Sequence, residues 1–325
     1  MPSNEPIQPP PSGDSEPEYR IVRLTTGGLK DLEELHKAVY GISSPQDYFT
    51  KKYDTAYTGV SWLGYLAYNG LGIAVAYYGV IPCFMEYRAQ VVLAAQSGDT
   101  MTHPGYRYKG MFVELSRITF ALCRENGVKF LFGFPNQHSY HGAIRLGWIP
   151  TETMRCFLLP VRSFPWYGLS NRFGGWLKDI YRSYAEWVLR KYALPLRGIP
   201  NLAKNEGYGG LSRDERYFDY KRYGKSSVIG IDGSRAWIAI KTGLVIGDLV
   251  VEEQHFDSTL RSLKKIAAKL GLRQVSFHTS PGTFLHGLFA ARYPSIASFP
   301  VLFQDLGTTI PFDRLKFTFA DIDIF

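Results

Sequence analysis

The run Gln96-Ser97-Gly98-Asp99-Thr100-Met101-Thr102-His103-Pro104-Gly105-Tyr106-Arg107-Tyr108-Lys109-Gly110-Met111-Phe112 reads as a strand, a turn and the opening of a helix. A glycine where a helix opens lets a phosphate come close to the backbone. The first N–H groups of the helix have no partner within it, and together with the helix dipole they hold an anion. Arg107 and Lys109 add positive charge at the same place. A hexapeptide of this kind also fits an ordinary strand-to-helix turn with two solvated cations. Downstream, residues 110–126 predict a helix, with Phe112, Leu115, Ile118, Thr119, Leu122 and Cys123 on one face and Gly127 as its stop. The unbroken apolar run 128–134 predicts a buried strand, and 139–146 a short helix closed by Gly147. Upstream lie strand-like runs at 62–68, 73–81 and 89–102, the first two joined by an Asn69-Gly70 hairpin signal. Helical spacing marks 29–40 and 45–53, and 19–24 reads as a short strand.

Composition narrows the function classes. Of the 325 residues 45% are hydrophobic and 15% aromatic, enough for large cores and an aromatic-lined cleft. The net charge of +8 suits an anionic partner such as a phosphorylated cofactor or a nucleotide-linked substrate. No long Lys/Arg run of the nucleic-acid-arm kind occurs. No stretch reaches the ~20 apolar residues of a spanning helix, and no signal-peptide pattern opens the chain. Cys83, Cys123 and Cys156 have neither disulfide nor zinc spacing, which fits a reducing cytoplasm. His36, His255, His278 and His286 form no metal-ligand pattern, so no metal is expected. Residues 1–18, rich in Pro, Ser and Glu, predict a disordered tail.

From residue 161 the texture changes. Phe173, Trp176, Leu177, Ile180, Tyr181, Tyr184 and Val188 recur at helical steps, decorated by Arg172, Lys178, Arg182, Arg190 and Lys191. Such a helix either packs its apolar face between two bodies or lies on a bilayer, so 172–191 is also a candidate for peripheral membrane contact. Pro195, Pro200 and the glycines of 207–210 mark 161–210 as a linker. The pattern then starts over. Tyr217-Phe218-Asp219-Tyr220-Lys221 echoes Tyr48-Phe49-Thr50-Lys51-Lys52, and each precedes a set of strands, a helix, a strand and a helix. The expected fold class is α/β (α+β): two tandem mixed-sheet domains at 19–160 and 211–325, with late strands running to Phe325.

The segment Thr100 to Gly110 resembles the central motif of the GCN5-related N-acetyltransferase (GNAT) superfamily, Gln/Arg-x-x-Gly-x-Gly/Ala after a strand, with Arg107 and Gly110 at its first and fourth positions. Phe112 departs from the usual small last residue. Phe132-Gly133-Phe134-Pro135-Asn136 and Leu146-Gly147-Trp148 resemble the family's fifth strand, Asn-bearing loop and closing Gly-aromatic pair. Asp99 to Pro104, Phe134-Pro135-Asn136 and the closing Phe319 to Phe325 are similar to tandem members among polysaccharide-biosynthesis acetyltransferases. The resemblance implies acetyl-CoA as co-substrate. The backbone of Thr100, Met101 and Thr102 would pair with the pantetheine amides, and the amides of Tyr108, Lys109, Gly110, Met111 and Phe112, with Arg107, would hold the pyrophosphate. Asn136 and Ser139 would reach the arm from the far side. It implies a small-molecule amine acceptor, in this subgroup an amino sugar, and a second copy that has lost the cofactor motif, since Glu252 and Glu253 stand where cations are needed. Many members carry a Tyr where this chain has Ala143, so Tyr140, then His138, are the expected acids toward the departing thiolate. Asp99 and His103 are the candidates on the acceptor side. Because side chains alternate along a strand, Asp99 and Thr100 are expected to point in opposite directions. The alternative is a non-catalytic acyl-CoA-binding or scaffolding protein, or an acetyltransferase for another small amine.

Overall fold

The computed structural model describes residues 19–44, 46–173 and 175–325; the expected tail at 1–18 lies outside them. The first part of the chain runs β1 (Tyr19–Arg23), α1 (Leu29–Tyr40), α2 (Gln46–Tyr53), β2 (Leu63–Asn69), β3 (Ala74–Tyr87), β4 (Gln90–Thr102), α3 (Met111–Glu125), β5 (Phe130–Gly133), α4 (Gln137–Arg145) and β6 (Ile149–Pro160). Next come α5 (Trp166–Phe173), α6 (Gly175–Arg190), the two-residue β7 (Gly210–Leu211) and α7 (Glu215–Tyr220). The last part runs β8 (Ser226–Ile231), β9 (Ser234–Ile240), β10 (Leu244–Val250), α8 (Glu253–Lys269), β11 (Gln274–Thr279), α9 (Phe284–Ala290) and β12 (Ser295–Asp305). The succession β2–β3–β4–α3–β5–α4–β6 is thus repeated by β8–β9–β10–α8–β11–α9–β12. In each repeat the helix after the third strand is the crossover that a parallel pair requires, here β4 with β5 and β10 with β11.

All strands belong to one sheet, ordered β1-β2-β3-β4-β5-β12-β6-β11-β10-β9-β8, with β7 added beside β3. The expected division at residue 160 therefore does not separate two sheets. Each repeat gives its last strand to the other: β12 bonds β5 (Phe303 opposite Phe132), and β6 bonds β11 (Phe157 opposite Phe277). The two donated strands then pair with each other. Residues 149–160, which carry no readable period in the sequence, are one of these central strands. The end of the chain also departs from expectation. After β12 it holds no strand among the described residues but loops and short helical turns at Phe312–Arg314 and Phe319–Asp321.

Side-chain periodicity explains the layers. Met111, Leu115, Thr119, Leu122 and Cys123 give α3 a buried stripe that covers one face of the sheet at β2 and β3. Leu29, Leu32 and Leu35 of α1, with Phe49 and Tyr53 of α2, cover the other face. In the second repeat, α8 buries Phe256, Leu260, Leu263 and Ile266. The buried face of α6, formed by Tyr181, Ala185 and Val188, packs on this same cluster, and Tyr181 and Tyr184 donate hydrogen bonds to the carbonyls of Leu270 and Lys269. The helix therefore lies over the second repeat instead of between the two. Its other face leaves Trp176, Ile180 and Trp187 exposed.

The Tyr-Phe echo also has a structural basis. Lys52 and Lys221, at matching places in the two motifs, are both buried, and the motifs touch, with the Tyr220 hydroxyl bonded to the Lys52 carbonyl at 2.6 Å.

Candidate active site

β4 and β5 bond in parallel at Ala95–Leu131 and Gln96–Phe132 and then diverge. The opening holds a cleft of about 740 Å³, bounded by β4, the turn before α3, the β5–α4 loop and residues 323–324. On its other edge β4 is paired with β3 along most of its length, with one irregularity. Tyr77 faces Met101 and Gly79 faces Gly98, so Asp99 and Thr100 together oppose Tyr78. This is a β-bulge, and Asp99 sits at φ 49°, in the left-handed region. The bulge breaks the strand alternation, and Asp99 and Thr100 both line the cleft, contrary to the expectation of opposite directions. The Met101 side chain turns away into the core beneath α1 and α2, which leaves only its backbone for a ligand.

The turn before α3 has the features of an anion cradle. Tyr108 (φ 67°) and Gly110 (φ 81°) are both left-handed, a geometry that gathers successive amides into a concave nest. A side chain on Gly110 would meet nothing within 4 Å, so this position opens onto free space. Intrahelical bonding begins with Val113 and Glu114 donating to the Gly110 carbonyl, which leaves the amides of Met111 and Phe112 outside the helical ladder. Arg107, Tyr108 and Lys109 are exposed at the rim, with the Lys109 ammonium 5.4 Å above the Tyr106 ring. The large Phe112 is accommodated by Gly142 of α4, where a Cβ would lie 2.7 Å from its ring.

On the far wall Asn136 caps α4. Its Oδ1 accepts the amides of His138 (2.9 Å) and Ser139 (3.1 Å), so its Nδ2 is the group left to face the cleft. His138, Ser139 and Ala143 line the cleft, but Tyr140 does not. The Tyr140 ring packs at the edge of the α3 core. This placement argues against the acid role expected of it. Tyrosines that the sequence reading did not single out also line the cleft, among them Tyr40 and Tyr78. Burial raises the pKa of both, which keeps them protonated, and the Tyr78 hydroxyl accepts a bond from Ser97 at 3.1 Å. His103 caps the next turn, its Nδ1 accepting from the Gly105 amide.

At the opposite end of the cleft, Asp99 Oδ2 accepts from Lys52 Nζ (2.6 Å) and the Tyr53 hydroxyl (2.8 Å), and Lys52 also binds Asp323 Oδ2 at 2.7 Å. Burial alone would raise the pKa of Asp99. The Lys52 charge and the bonds from Lys52 and Tyr53 outweigh it and hold the carboxyl below its ordinary value. Burial would likewise lower the pKa of Lys52, but Asp323 and Asp99 hold it well above normal. Asp99 is thus a permanently ionised, engaged group and a weak proton acceptor. Lys52 and Asp323 went unrecognised as site residues. The available signals were the Lys shared by the two Tyr-Phe motifs and the Gly-Asp pair that occurs in both repeats, Gly98-Asp99 and Gly247-Asp248.

In the second repeat β10 and β11 also diverge after Ile246–Phe277. There the closing segment narrows the opening, since Thr279 bridges to Thr318 and the Ser280 amide bonds the Phe317 carbonyl at 2.8 Å, and leaves a smaller cavity of about 320 Å³ whose wall includes Asp248, Thr279 and Thr318. Glu252 stands at the N-cap of α8 and Glu253 in its first turn.

The sequence comparison matches residues 20–151, less than half of the chain, to the acetyltransferase (GNAT) domain model. The match is to that domain and not to the whole chain. By that domain the chain is an acyltransferase, and GNAT domains use acetyl-CoA. No curated protein matches the sequence. Among solved structures, a GCN5-related N-acetyltransferase from Kribbella flavida is similar at 15% identity and TM-score 0.56, over 89% of this chain and 71% of that one. One from Anabaena variabilis aligns at 12% identity and TM-score 0.54, over 88% and 72%. A conserved protein of unknown function from Enterococcus faecalis aligns at 13% identity and TM-score 0.59, over 89% and 73%. At these identities the likeness is one of fold. It extends well past the GNAT domain into the second repeat.

Proposed function

We propose that this chain transfers an acyl group from acyl-CoA to the nitrogen of a small amine, with an amino sugar, nucleotide- or lipid-linked, as the acceptor class and surface polysaccharide biosynthesis as the setting. The observation that carries the reading is the diverging β4 edge leading into the nest at Tyr108–Gly110. An extended amide-bearing arm pairs with the first, and a diphosphate sits on the second. In the reaction the amine nitrogen bonds to the thioester carbonyl carbon and the carbon–sulfur bond breaks. An acceptor that arrives as an ammonium gives up two protons, one to solvent before the nitrogen attacks and one as the amide forms, and the departing thiolate takes one. Backbone N–H groups of β4 would stabilise the carbonyl oxygen. Tyr78 and His138 are placed to serve the thiolate ahead of Tyr140, because both line the cleft. The sugar assignment draws on the aromatic cleft wall of Tyr40, Phe134 and Phe299 and on the net charge of +8. A lipid-linked acceptor would also account for the exposed Trp176, Ile180 and Trp187 of α6 among basic residues, as a peripheral contact with the inner face of the membrane.

The test is release of free thiol from acetyl-CoA by the full chain with a panel of amino sugars, nucleotide-linked ones included, and simple amines. Turnover with an amino sugar supports the whole reading, and turnover with simple amines alone removes the sugar. Binding of coenzyme A without turnover on any acceptor would favour a non-catalytic acyl-CoA-binding protein.

A further inference from the structure

The two repeats carry the same charged device in two states. In each, a Gly-Asp pair sits at a β-bulge of the third strand, Gly98-Asp99 in β4 and Gly247-Asp248 in β10. The segment 319–325 serves both bulges. Asp323 lies over Gly98, where a Cβ would come 3.2 Å from its Oδ2, and the Phe325 ring fills the space beside Gly247. Each bulge aspartate shares one buried cation with an aspartate of that segment. In the second repeat Arg213 bonds Asp248 and, at 2.8 Å, Asp321. In the first, Lys52 bonds Asp99 and Asp323.

Their surroundings differ. The Arg213 triad is sealed, with side chains 0%, 4% and 1% exposed, and the guanidinium spends its further donors on the Ile199 carbonyl and Thr318 hydroxyl. In the first repeat only the cation is sealed. Lys52 is 1% exposed, while Asp99 and Asp323 are 16% and 11% exposed and form part of the cleft wall. At the cleft wall two carboxylates share the Lys52 ammonium; Lys221 and Lys241, which bond the neighbouring Ile322 and Ile324 carbonyls and whose pKa values burial lowers, also act on Asp323 through their charge. Among the described residues the hydrogen bonds to Asp99 fall on Oδ2, and Asp323 Oδ1 receives a long 3.4 Å contact from Gln96. Partly desolvated carboxylate oxygens of this kind are stabilised by a cation with donors of its own. Arg107 and Lys109 lie at the other end of the cleft, in the cradle.

We propose that Asp99 and Asp323, set by Lys52, form the acceptor subsite of the cleft and select a protonated amine, so that the second repeat supplies a specificity-determining residue to the first through its closing segment. This rests on the acyltransferase reading above and adds the charge of the acceptor. It also gives the second repeat a role: it delivers Asp323.

The experiment is a thermal-shift titration of the full chain saturated with coenzyme A. The probes are glucosamine, ethanolamine and 1,5-diaminopentane against the neutral glucose, ethylene glycol and N-acetylglucosamine. The inference expects the melting temperature to rise with at least one cationic probe and not with its neutral counterpart. In Asp323→Asn that rise should vanish while coenzyme A affinity is kept, and acceptor KM in the thiol-release assay should climb roughly 10- to 100-fold, the worth of one charge-assisted hydrogen bond. Equal shifts from charged and neutral probes, or no shift from any, would overturn it, as would unchanged acceptor KM in both Asp323→Asn and Asp99→Asn. If Asp323→Asn does not fold, the wild-type probe series still decides. A wild-type chain that fails to bind coenzyme A refutes the acyltransferase reading instead, which separates the two failures.

Discussion

Gly110→Glu tests the cradle most directly, because strain and charge can be separated there. At φ 81° any side chain costs about 1–2 kcal/mol of backbone strain, and this cost is common to Ala, Gln and Glu. The space around the new Cβ is open, so no steric term distinguishes them. Glu alone adds a charge at the mouth of the nest. A carboxylate about 5 Å from one phosphate charge is repelled by roughly 1 kcal/mol at an effective dielectric of 80 and about 3 kcal/mol at 20. Binding of coenzyme A should therefore weaken about 5- to 200-fold beyond the loss shown by Gly110→Gln. Isothermal titration of wild type and the three variants reads this out, with melting temperatures to confirm that the variants share one strain cost. Raising salt to about 1 M, where the screening length falls to ~3 Å, should bring Glu and Gln together. If Glu and Gln bind equally well at low salt, no phosphate lies at the α3 N-terminus and the cofactor placement is wrong.

Other expectations follow from the buried charges and the cleft wall. Arg213→Met should destabilise the fold by about 3–5 kcal/mol in urea unfolding, because Asp248 and Asp321 lose their shared cation; a loss under about 1 kcal/mol would mean that both carboxyls find other partners. Burial pushes the pKa of Lys221 down to about 7 from 10.5, so between those values the unfolded chain binds more protons than the folded one and stability rises with pH. Lys221→Met should flatten that rise from pH 7 to 10, and an unchanged slope would assign it to another group. Tyr78→Phe should slow turnover by roughly 10²-fold or more at unchanged coenzyme A affinity, whereas Tyr140→Phe should leave turnover near wild type. The reverse ranking would return the acid role to Tyr140.

Local order was legible in the sequence wherever one element carries its own signal. The stripe from Phe112 to Cys123 and the stop at Gly127 mark α3, observed as Met111–Glu125. Arg107 to Gly110 mark the cradle, and the Tyr-Phe echo marks the repeat. These readings need only contacts a few residues apart, which the helical and strand periods encode directly. The bulge at Asp99, the exchange of β6 and β12, the burial of Lys52 and the arrival of Asp323 in the cleft depend on pairings between distant segments, 271 residues apart for Lys52 and Asp323. A one-residue bulge reverses which side chains face the cleft, and period-two alternation cannot report it. An aspartate in a closing segment looks the same in sequence whether it meets solvent, Arg213 or Lys52. Only the folded sheet gives Asp321 a sealed partner and leaves Asp323 open to the cleft.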